Sequence, residues 1–186
     1  INTLVSDLRA LSWEASETLL YYSKILKKSK YKNFILRNND NADPVTLADL
    51  KVNQIIIQRI NEKYKEIDWE ILSEENAKID SFDCDTKANW LWILDPLDGT
   101  KDFIEGTGNY SMHLALNYMQ KPFLGIVLVP EREELWIAID GNFWCENRDG
   151  SKKYFKKSNS KIINEMILVT SKNHRNLTLT NLIDKH

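Results

Sequence analysis

A short segment in the middle of the chain carries residues whose types and spacing suit metal and phosphate chemistry. An apolar run at residues 91–94 predicts a buried strand. The strand is followed, in order, by Asp95, Pro96, Leu97, Asp98, Gly99 and Thr100. Two carboxylates at a rigid strand end favour Mg²⁺, which prefers oxygen ligands and shares its coordination shell with substrate phosphate. The segment therefore predicts a site for a divalent cation that holds a phosphate.

The residues between and after the two aspartates indicate a turn. Pro96 has a fixed φ and no N–H, so we expect the regular strand ladder to stop there. Gly99 permits a sharp turn, and Thr100 can begin a short helix whose free amides face an anion. Asp-Pro and Asp-Gly pairs are also common turn formers, so a plain turn is the alternative interpretation. A plain turn leaves the second acid and the threonine without a reason.

A related pattern, a strand leading into Asp-x-Asp-Gly-Thr, is typical of phosphatases with an aspartate nucleophile. In this chain Pro96 stands two residues before Asp98, where that pattern has its nucleophile. A covalent aspartyl-phosphate therefore has no residue to form on. The spacing favours attack by a metal-activated water.

The composition is that of a globular protein and excludes several classes of partner. The chain has 186 residues, 42% hydrophobic and 28% charged, enough for one domain or one and a fraction. The net charge is −2, without a dense Lys/Arg tract, so we expect no nucleic-acid polymer as partner.

Cys84 and Cys145 fit neither a zinc spacing nor a disulfide framework. Because no membrane span or signal peptide is visible, we predict a cytoplasmic protein without a membrane partner.

The elements that must position the site are two helices and a series of short strands. Apolar spacing predicts amphipathic helices over residues 3–28 and from about 45 to 63, separated by a loop at 38–44. The second helix should bury Leu47, Leu50, Ile55, Ile56 and Ile60. A strand at 69–72 precedes a polar loop at 76–89. Further strands are predicted at 111–118, 123–129, 135–139 and 143–145. This order predicts an α+β fold, with two long helices packed on a mostly antiparallel sheet.

The last part of the chain departs from this pattern. Residues 1–160 form a predicted α+β domain, whereas 161–186 contain only a strand at 166–170 and the start of a helix at 176. One strand and one helix cannot bury a core of their own, so we expect them to begin a second α/β domain. We therefore expect the chain to be a piece of a longer protein. Alone, it should bind Mg²⁺ weakly, turn over little substrate and self-associate through the apolar residues 167–169.

Three more acids lie at the ends of predicted elements. Asp49 lies one turn into the second helix, and Glu74 and Glu75 follow the strand at 69–72. Taken alone, Asp49 would be a first-turn acid that stabilises the helix dipole, and adjacent glutamates would be solvated. Their occurrence together with Asp95 and Asp98 makes them candidate site residues.

Three segments, in order and spacing, resemble the inositol monophosphatase-like superfamily of Mg²⁺-dependent, lithium-sensitive phosphatases. They are Asp-Pro-Val-Thr-Leu-Ala-Asp at 43–49, Leu-Ser-Glu-Glu-Asn at 72–76 and Trp-Ile-Leu-Asp-Pro-Leu-Asp-Gly-Thr-Lys-Asp-Phe at 92–103. Lys101, Asp102 and Phe103 are similar to the 3′(2′),5′-bisphosphate nucleotidase branch, the CysQ type, where inositol monophosphatases tend to carry Thr-Asn-Phe. The resemblance implies the N-terminal part of a layered α-β-α-β-α fold.

The resemblance also implies a metal site built from a few oxygen ligands. Glu74, Asp95 and the carbonyl of Leu97 would hold a first Mg²⁺, and Asp95 with Asp98 a second, in a site of two or three ions. Two cations around a phosphoryl group stabilise both the attacking and the leaving oxygen. Glu75 is expected to lie behind the ligands.

Catalytic and substrate-binding roles follow from the same resemblance. Thr100, oriented by Asp49, would with Glu74 position the attacking water. Asp98 and the amides of Gly99 and Thr100 would bind the phosphate. The loop before the second helix matches the superfamily poorly, so Arg37 and Asp43 receive no role. His113 is predicted to be structural and His174 is not included.

The implied activity is removal of the 3′-phosphate from adenosine 3′,5′-bisphosphate, or from its sulfated form, in sulfur metabolism. The partner would be this small phosphorylated nucleotide, and lithium would inhibit. The alternatives are an inositol monophosphatase or another sugar-phosphate phosphatase, and a non-catalytic module that binds metal or phosphate. A Trp-Asp-x-Ala-Ala motif, whose aspartate completes the second metal site in the superfamily, does not occur in this chain.

Overall fold

Two long helices begin the fold in the computed structural model, which describes residues 1–28, 36–37, 45–77 and 88–156. Helix α1 is Asn2–Leu26, and its buried face repeats at helical spacing from Val5 to Leu26. Helix α2 is Leu47–Lys63 and begins at Thr46, whose side chain accepts from the amide of Asp49 while Asp49 accepts from the amide of Thr46. This capping box ends the chain's extended segment and starts the helix. The two predicted helices are confirmed.

The buried face of α2 differs from the predicted one. Leu47, Leu50 and Ile55 are only partly buried, whereas Ile56 and Ile60 lie in the core. The buried face consists of Ala48, Asp49, Val52, Asn53, Ile56 and Ile60. The apolar pattern was misleading because two polar residues of this face are buried by hydrogen bonding, which hydrophobic periodicity does not detect.

A seven-stranded sheet forms the second layer, in the order β3 to β9 along the chain. Its strands are β3 Trp69–Ser73, β4 Trp90–Asp98, β5 Ser111–Tyr118, β6 Lys121–Val129, β7 Glu134–Ile139, β8 Asn142–Asn147 and β9 Lys152–Phe155. The pair β3–β4 is parallel, and every other neighbouring pair is antiparallel. A separate antiparallel pair joins β1, Leu36–Arg37, to β2, Val45–Thr46. The predicted α+β fold with a mostly antiparallel sheet is confirmed.

Two features of the sheet were not predicted. Strand β9 carries mostly exposed side chains, so it lacks the apolar alternation that marks a strand. Strand β4 continues to Asp98, through Pro96, where we expected it to stop. The register against β5 shifts between Asp95 and Asp98, which is how a residue without an N–H is accommodated inside a strand.

The core lies between the helices and one face of the sheet. Trp92, Leu114, Ile126 and Ile137 occupy neighbouring strands on this face and are buried. Two short helices, α3 Glu74–Ala77 and α4 Thr100–Glu105, follow the ends of β3 and β4. Each short helix buries one side chain, Glu75 in α3 and Phe103 in α4.

Residues Ile1–Phe155 form one compact unit, and Lys156–His186 a second. The predicted loop at 38–44, Cys84, His174 and the predicted second domain at 161–186 lie outside the described residues. Cys145 is a buried free thiol. Within the described ranges, no helix has the length and apolar character needed to cross a membrane.

Candidate active site

The parallel pairing of β3 with β4 brings Glu74 and Asp95 together. Ser73, the last residue of β3, is in register with Leu94 of β4, and the two acids are the next residues of their chains. Both acids directly follow the last paired residues of the parallel ladder, so they lie at the same level of the sheet. A hydrogen bond joins the side chains of Glu74 and Asp95. The acids are 21 positions apart in sequence, and the strand pairing makes them neighbours.

A bulge at the end of β4 orients the two aspartates. Asp95 is opposite His113 and Asp98 is opposite Ser111, so three steps on β4 match two on β5. Within the bulge, the amide of Leu97 donates to Oδ1 of Asp95 at 3.1 Å. Asp98 is exposed, with Oδ2 lying 3.8 Å from Nε2 of His113. The bulge thus sets the position of Asp98 relative to Asp95 along β5.

Thr100 begins α4 directly after the bulge. Its hydroxyl donates to the carbonyl oxygen of Leu97 at 3.1 Å. This carbonyl oxygen is one of the predicted metal ligands. After it accepts from Thr100, a second lone pair is still available to bind a cation. Gly99 caps the helix with φ at 82°, in the left-handed region.

Gly99 is required by both conformation and space. A Cβ at this position would lie 2.8 Å from the carbonyl oxygen of Asn109. We expect Gly99→Ala to lower the free energy of unfolding by about 2 kcal/mol or more, because strain at positive φ adds to a backbone clash. Chemical denaturation measures this effect. Gly141→Ala is the matched control, since its φ is 73° but a Cβ would meet nothing within 4 Å. Equal losses in the two variants would contradict the clash.

Asp49 lies in the first turn of α2 and is only 3% exposed. Its carboxylate accepts from the amide of Thr46 at 2.9 Å and from the hydroxyl of the same residue. The resemblance implied that Asp49 orients Thr100, but the structure gives each of them another partner. The capping box holds Asp49, and the Leu97 carbonyl holds Thr100. The role of Asp49 in orienting Thr100 stays a prediction.

Burial raises the pKa of Asp49 to about 6, and the negative charge of Glu75 contributes in the same direction. Hydrogen bonds from Thr46 lower the pKa and only partly offset the burial. Glu75 itself is 5% exposed, whereas Glu74 is exposed. Asp49 of α2 and Glu75 of α3 are therefore both buried, whereas Glu74 is accessible to solvent.

We expect Asp49→Asn to stabilise the protein at neutral pH. The folded-state pKa is raised, so the folded protein retains a proton that the unfolded chain loses, and stability falls as pH rises from about 4 to about 6. Asparagine does not ionise, and its amide oxygen can accept both Thr46 bonds. The gain should be about 1 to 3 kcal/mol above pH 7 and vanish below about pH 4. Urea denaturation across this range tests it. A gain of equal size at pH 3.5 would contradict the electrostatic cause.

The pKa of Asp95 is raised to about 7. Burial is the largest cause, followed by the charge of Glu74 and the hydrogen bond to it, and then by the charge of Asp98. The amide of Leu97 lowers the pKa but does not compensate. Carboxylates this close to one another all ionise only when a positive charge lies among them. Otherwise one of them keeps a proton.

The donor set is compatible with Mg²⁺. Every candidate donor is an oxygen atom, and the charges of Glu74 and Asp98 help to raise the pKa of Asp95, an effect that a divalent cation would oppose. In the part of the chain that the structure describes, no group of three or more His, Cys, Asp or Glu side chains has a geometry that could hold a metal ion. The structure places Glu74 beside Asp95, and the charge of the nearby Asp98 helps to raise the pKa of Asp95.

Sequence reasoning missed two polar residues behind the acids. Asn53 of α2 and Ser73 of β3 are buried and hydrogen-bonded to each other. A detectable signal existed, because Asn53 lies four residues after Asp49 and therefore on the same face of the helix. His113, predicted to be structural, contacts the hydroxyl of Ser111 at 3.0 Å on the strand facing Asp95.

The fold and the site together define a class of protein: an α+β domain with acids and a glycine-capped helix gathered at one sheet edge. The profile of the inositol monophosphatase family matches residues 3–186. The chain belongs to this family.

Individual relatives agree with the family assignment. The chain is 33% identical over 164 residues to the 3′(2′),5′-bisphosphate nucleotidase CysQ of Buchnera aphidicola, covering 87% of this chain and 58% of that protein. It is 30% identical over 144 residues to the protein of the same name from Salmonella typhimurium, covering 76% and 54%. The inositol monophosphatase structure from Thermotoga maritima superposes with a TM-score of 0.57 at 21% identity, covering 93% and 55%. The chain thus spans little more than half the length of these relatives.

Proposed function

We propose that this chain supplies the cation-binding acids of a Mg²⁺-dependent phosphomonoesterase. The observation that carries the proposal is the meeting of Glu74 and Asp95 where the parallel pairing of β3 with β4 ends, with Asp98 next to them. The charges of Glu74 and Asp98 help to raise the pKa of Asp95, and this repulsion between neighbouring negative charges is a strong electrostatic reason to bind a divalent cation. The family assignment supports the same chemistry.

Glu74, Asp95, Asp98 and the carbonyl of Leu97 would hold the cations. Bound Mg²⁺ would neutralise phosphate oxygens and lower the pKa of a water molecule, which is the chemistry a phosphate ester needs for hydrolysis. The residues of the chain contribute position: the bulge fixes Asp95 relative to Asp98, and Gly99 turns the chain so that α4 begins beside them. The hydroxyl of Thr100 is held by Leu97 at this turn.

The proposed substrate is adenosine 3′,5′-bisphosphate, from which the 3′-phosphate would be removed to give AMP. The names of the nucleotidase relatives and the residues Lys101, Asp102 and Phe103 support this choice. Lys101 is exposed in the first turn of α4, where a second phosphate of the substrate would gain from its charge. An inositol phosphate is the second candidate, since the family profile and the solved neighbours carry that name.

Phosphate release by the protein expressed from its complete gene tests both parts of the proposal. We expect adenosine 3′,5′-bisphosphate to be hydrolysed with kcat/KM at least about tenfold above that for inositol 1-phosphate, which corresponds to about 1.4 kcal/mol. Excess EDTA and the variant Asp98→Asn should each abolish the activity. Full activity in EDTA would overturn the chemistry, and a preference for inositol phosphate would overturn only the substrate.

A further inference from the structure

A buried asparagine of α2 contacts both sides of the turn that carries Glu74. Asn53 is 9% exposed. Its Oδ1 accepts from the hydroxyl of Ser73, the last residue of β3. Its Nδ2 donates to Oδ1 of Asn76 in α3 at 3.1 Å. One orientation of the Asn53 amide satisfies both hydrogen bonds, so a single side chain joins the strand end to the short helix.

The turn between these contacts has little stability of its own. Helix α3 has four residues, too few to be stable without tertiary contacts. Ser73 is fully buried and in register with Leu94, so the strand end is fixed against β4. Glu74 is the first residue of this helix and directly follows the fixed strand end, and its side chain is exposed.

We propose that Asn53 is a positioning residue for Glu74. By holding Ser73 and Asn76, it fixes the carboxylate of Glu74 opposite Asp95 and thereby sets the affinity of the site for a divalent cation. The inference rests on the proposed function, because it assigns Asn53 a role only if these acids bind a cation. Asn53 touches neither substrate nor metal in this account.

The chemistry of the position favours an amide. The site needs an acceptor for Ser73 and a donor for Asn76 in one buried side chain, which an asparagine provides without charge. Asp49, on the same face of α2 as Asn53, and Glu75, the neighbour of Asn76 in α3, are also buried. The charge of Glu75 already raises the pKa of Asp49. A carboxylate at position 53 would add a third buried negative charge, and an apolar residue would leave the Ser73 hydroxyl without its partner.

The test compares N53L with a control variant on the same helix. Leucine has the same number and branching of side-chain heavy atoms as asparagine, although it is bulkier, and it removes both hydrogen bonds. We expect N53L to weaken Mg²⁺ binding, measured by titration calorimetry, by ten- to a hundredfold, the usual effect of losing a partner that orients a metal ligand. The control is Ile60→Val, a buried position of α2 that lowers the melting temperature without touching the turn. Equal changes of affinity in N53L and I60V would overturn the inference.

A double-mutant cycle with Ser73→Ala shows whether the effect passes through the hydrogen bond. If both residues act through one contact, the double variant should bind Mg²⁺ no more weakly than the worse single variant. Additive losses would overturn the proposed route. If N53L does not fold, Asn76→Ala supplies the test, because Asn76 is exposed and the substitution removes only its hydrogen bond with Asn53. It should then weaken Mg²⁺ binding several-fold, and unchanged binding would overturn the inference.

Hydrogen exchange separates this inference from the proposed function. N53L should speed amide exchange at residues 73–77 relative to the rest of the sheet, whether or not Mg²⁺ is present. Wild-type protein that binds no Mg²⁺ would refute the proposed function and, with it, the role of Asn53 in cation affinity. If the wild type binds Mg²⁺ and N53L shows unchanged exchange at residues 73–77, the positioning role alone is refuted.

Discussion

Replacing Asp95 with asparagine should lower phosphate release by about a thousandfold while the protein stays folded. Asp95 is the acid between Glu74 and Asp98, so its charge contributes to holding a cation together with either neighbour. A cation at a phosphoryl group stabilises the transition state by several kcal/mol, and about 4 kcal/mol corresponds to a factor of about a thousand. Steady-state phosphate release from adenosine 3′,5′-bisphosphate, with Mg²⁺ in excess, is the measurement.

The stability of this variant distinguishes a chemical role from a structural one. The amide oxygen of asparagine can still accept from the amide of Leu97, which Asp95 does at 3.1 Å. Its amide nitrogen can donate to Glu74, and one of three neighbouring negative charges is removed. We therefore expect an unchanged or higher melting temperature together with the loss of activity.

Asp140→Asn is the matched control for Asp95→Asn. Asp140 is exposed in the turn between β7 and β8, with φ at 51°, a conformation that asparagine tolerates. The control removes the same charge and should leave activity unchanged. Activity within tenfold of wild type in Asp95→Asn would show that Asp95 is not essential. A large drop in melting temperature would show that its role is structural.

Mg²⁺ affinity should fall steeply below neutral pH. The pKa of Asp95 is raised to about 7, by burial first and then by Glu74, so a proton competes with the cation below that pH. Each further pH unit should weaken apparent binding by about tenfold, giving about a hundredfold loss between pH 7 and pH 5. Calorimetry over this range, repeated in buffers of different ionisation enthalpy, measures both the affinity and the protons released.

Glu74→Gln tests the cause of this pH dependence. Glutamine removes the neighbouring charge and can donate a hydrogen bond to the ionised form of Asp95, so the pKa of Asp95 should fall. The pH at which residual Mg²⁺ binding weakens should therefore move toward a lower value. The exposed substitution Glu105→Gln should not shift it. Affinity that is constant between pH 5 and pH 8 in the wild type would contradict the titration of Asp95.

Local sequence patterns were sufficient to predict most of the elements. Helices at Asn2–Leu26 and Leu47–Lys63 and strands such as Ser111–Tyr118 depend on the spacing of apolar residues, which the sequence shows directly. The same patterns failed where burial is polar or absent. Asn53 is buried by hydrogen bonding, and β9 pairs through its backbone with little apolar burial.

Local sequence order was likewise sufficient to predict only part of the candidate site. The order of Asp95, Asp98, Gly99 and Thr100 was enough to predict a turn with two acids, because these residues are neighbours in sequence. The resemblance to a family supplied Glu74 and Asp49 as further candidates and also implied a contact between Asp49 and Thr100. In the structure Asp49 is hydrogen-bonded to Thr46, and Thr100 to Leu97, and the role that joins Asp49 to Thr100 stays a prediction.

The sequence by itself determined the kinds of chemical groups present, the elements that carry them and the local turn at Asp95 to Thr100. Only the tertiary structure decided that β3 lies parallel to β4, which makes Glu74 the neighbour of Asp95. It also decided that Asn53 contacts both the end of β3 and α3. The physical reason is that apolar periodicity records which face of an element is buried. The partner and direction of a strand depend on contacts between residues distant in sequence, and those contacts set the pKa of Asp95.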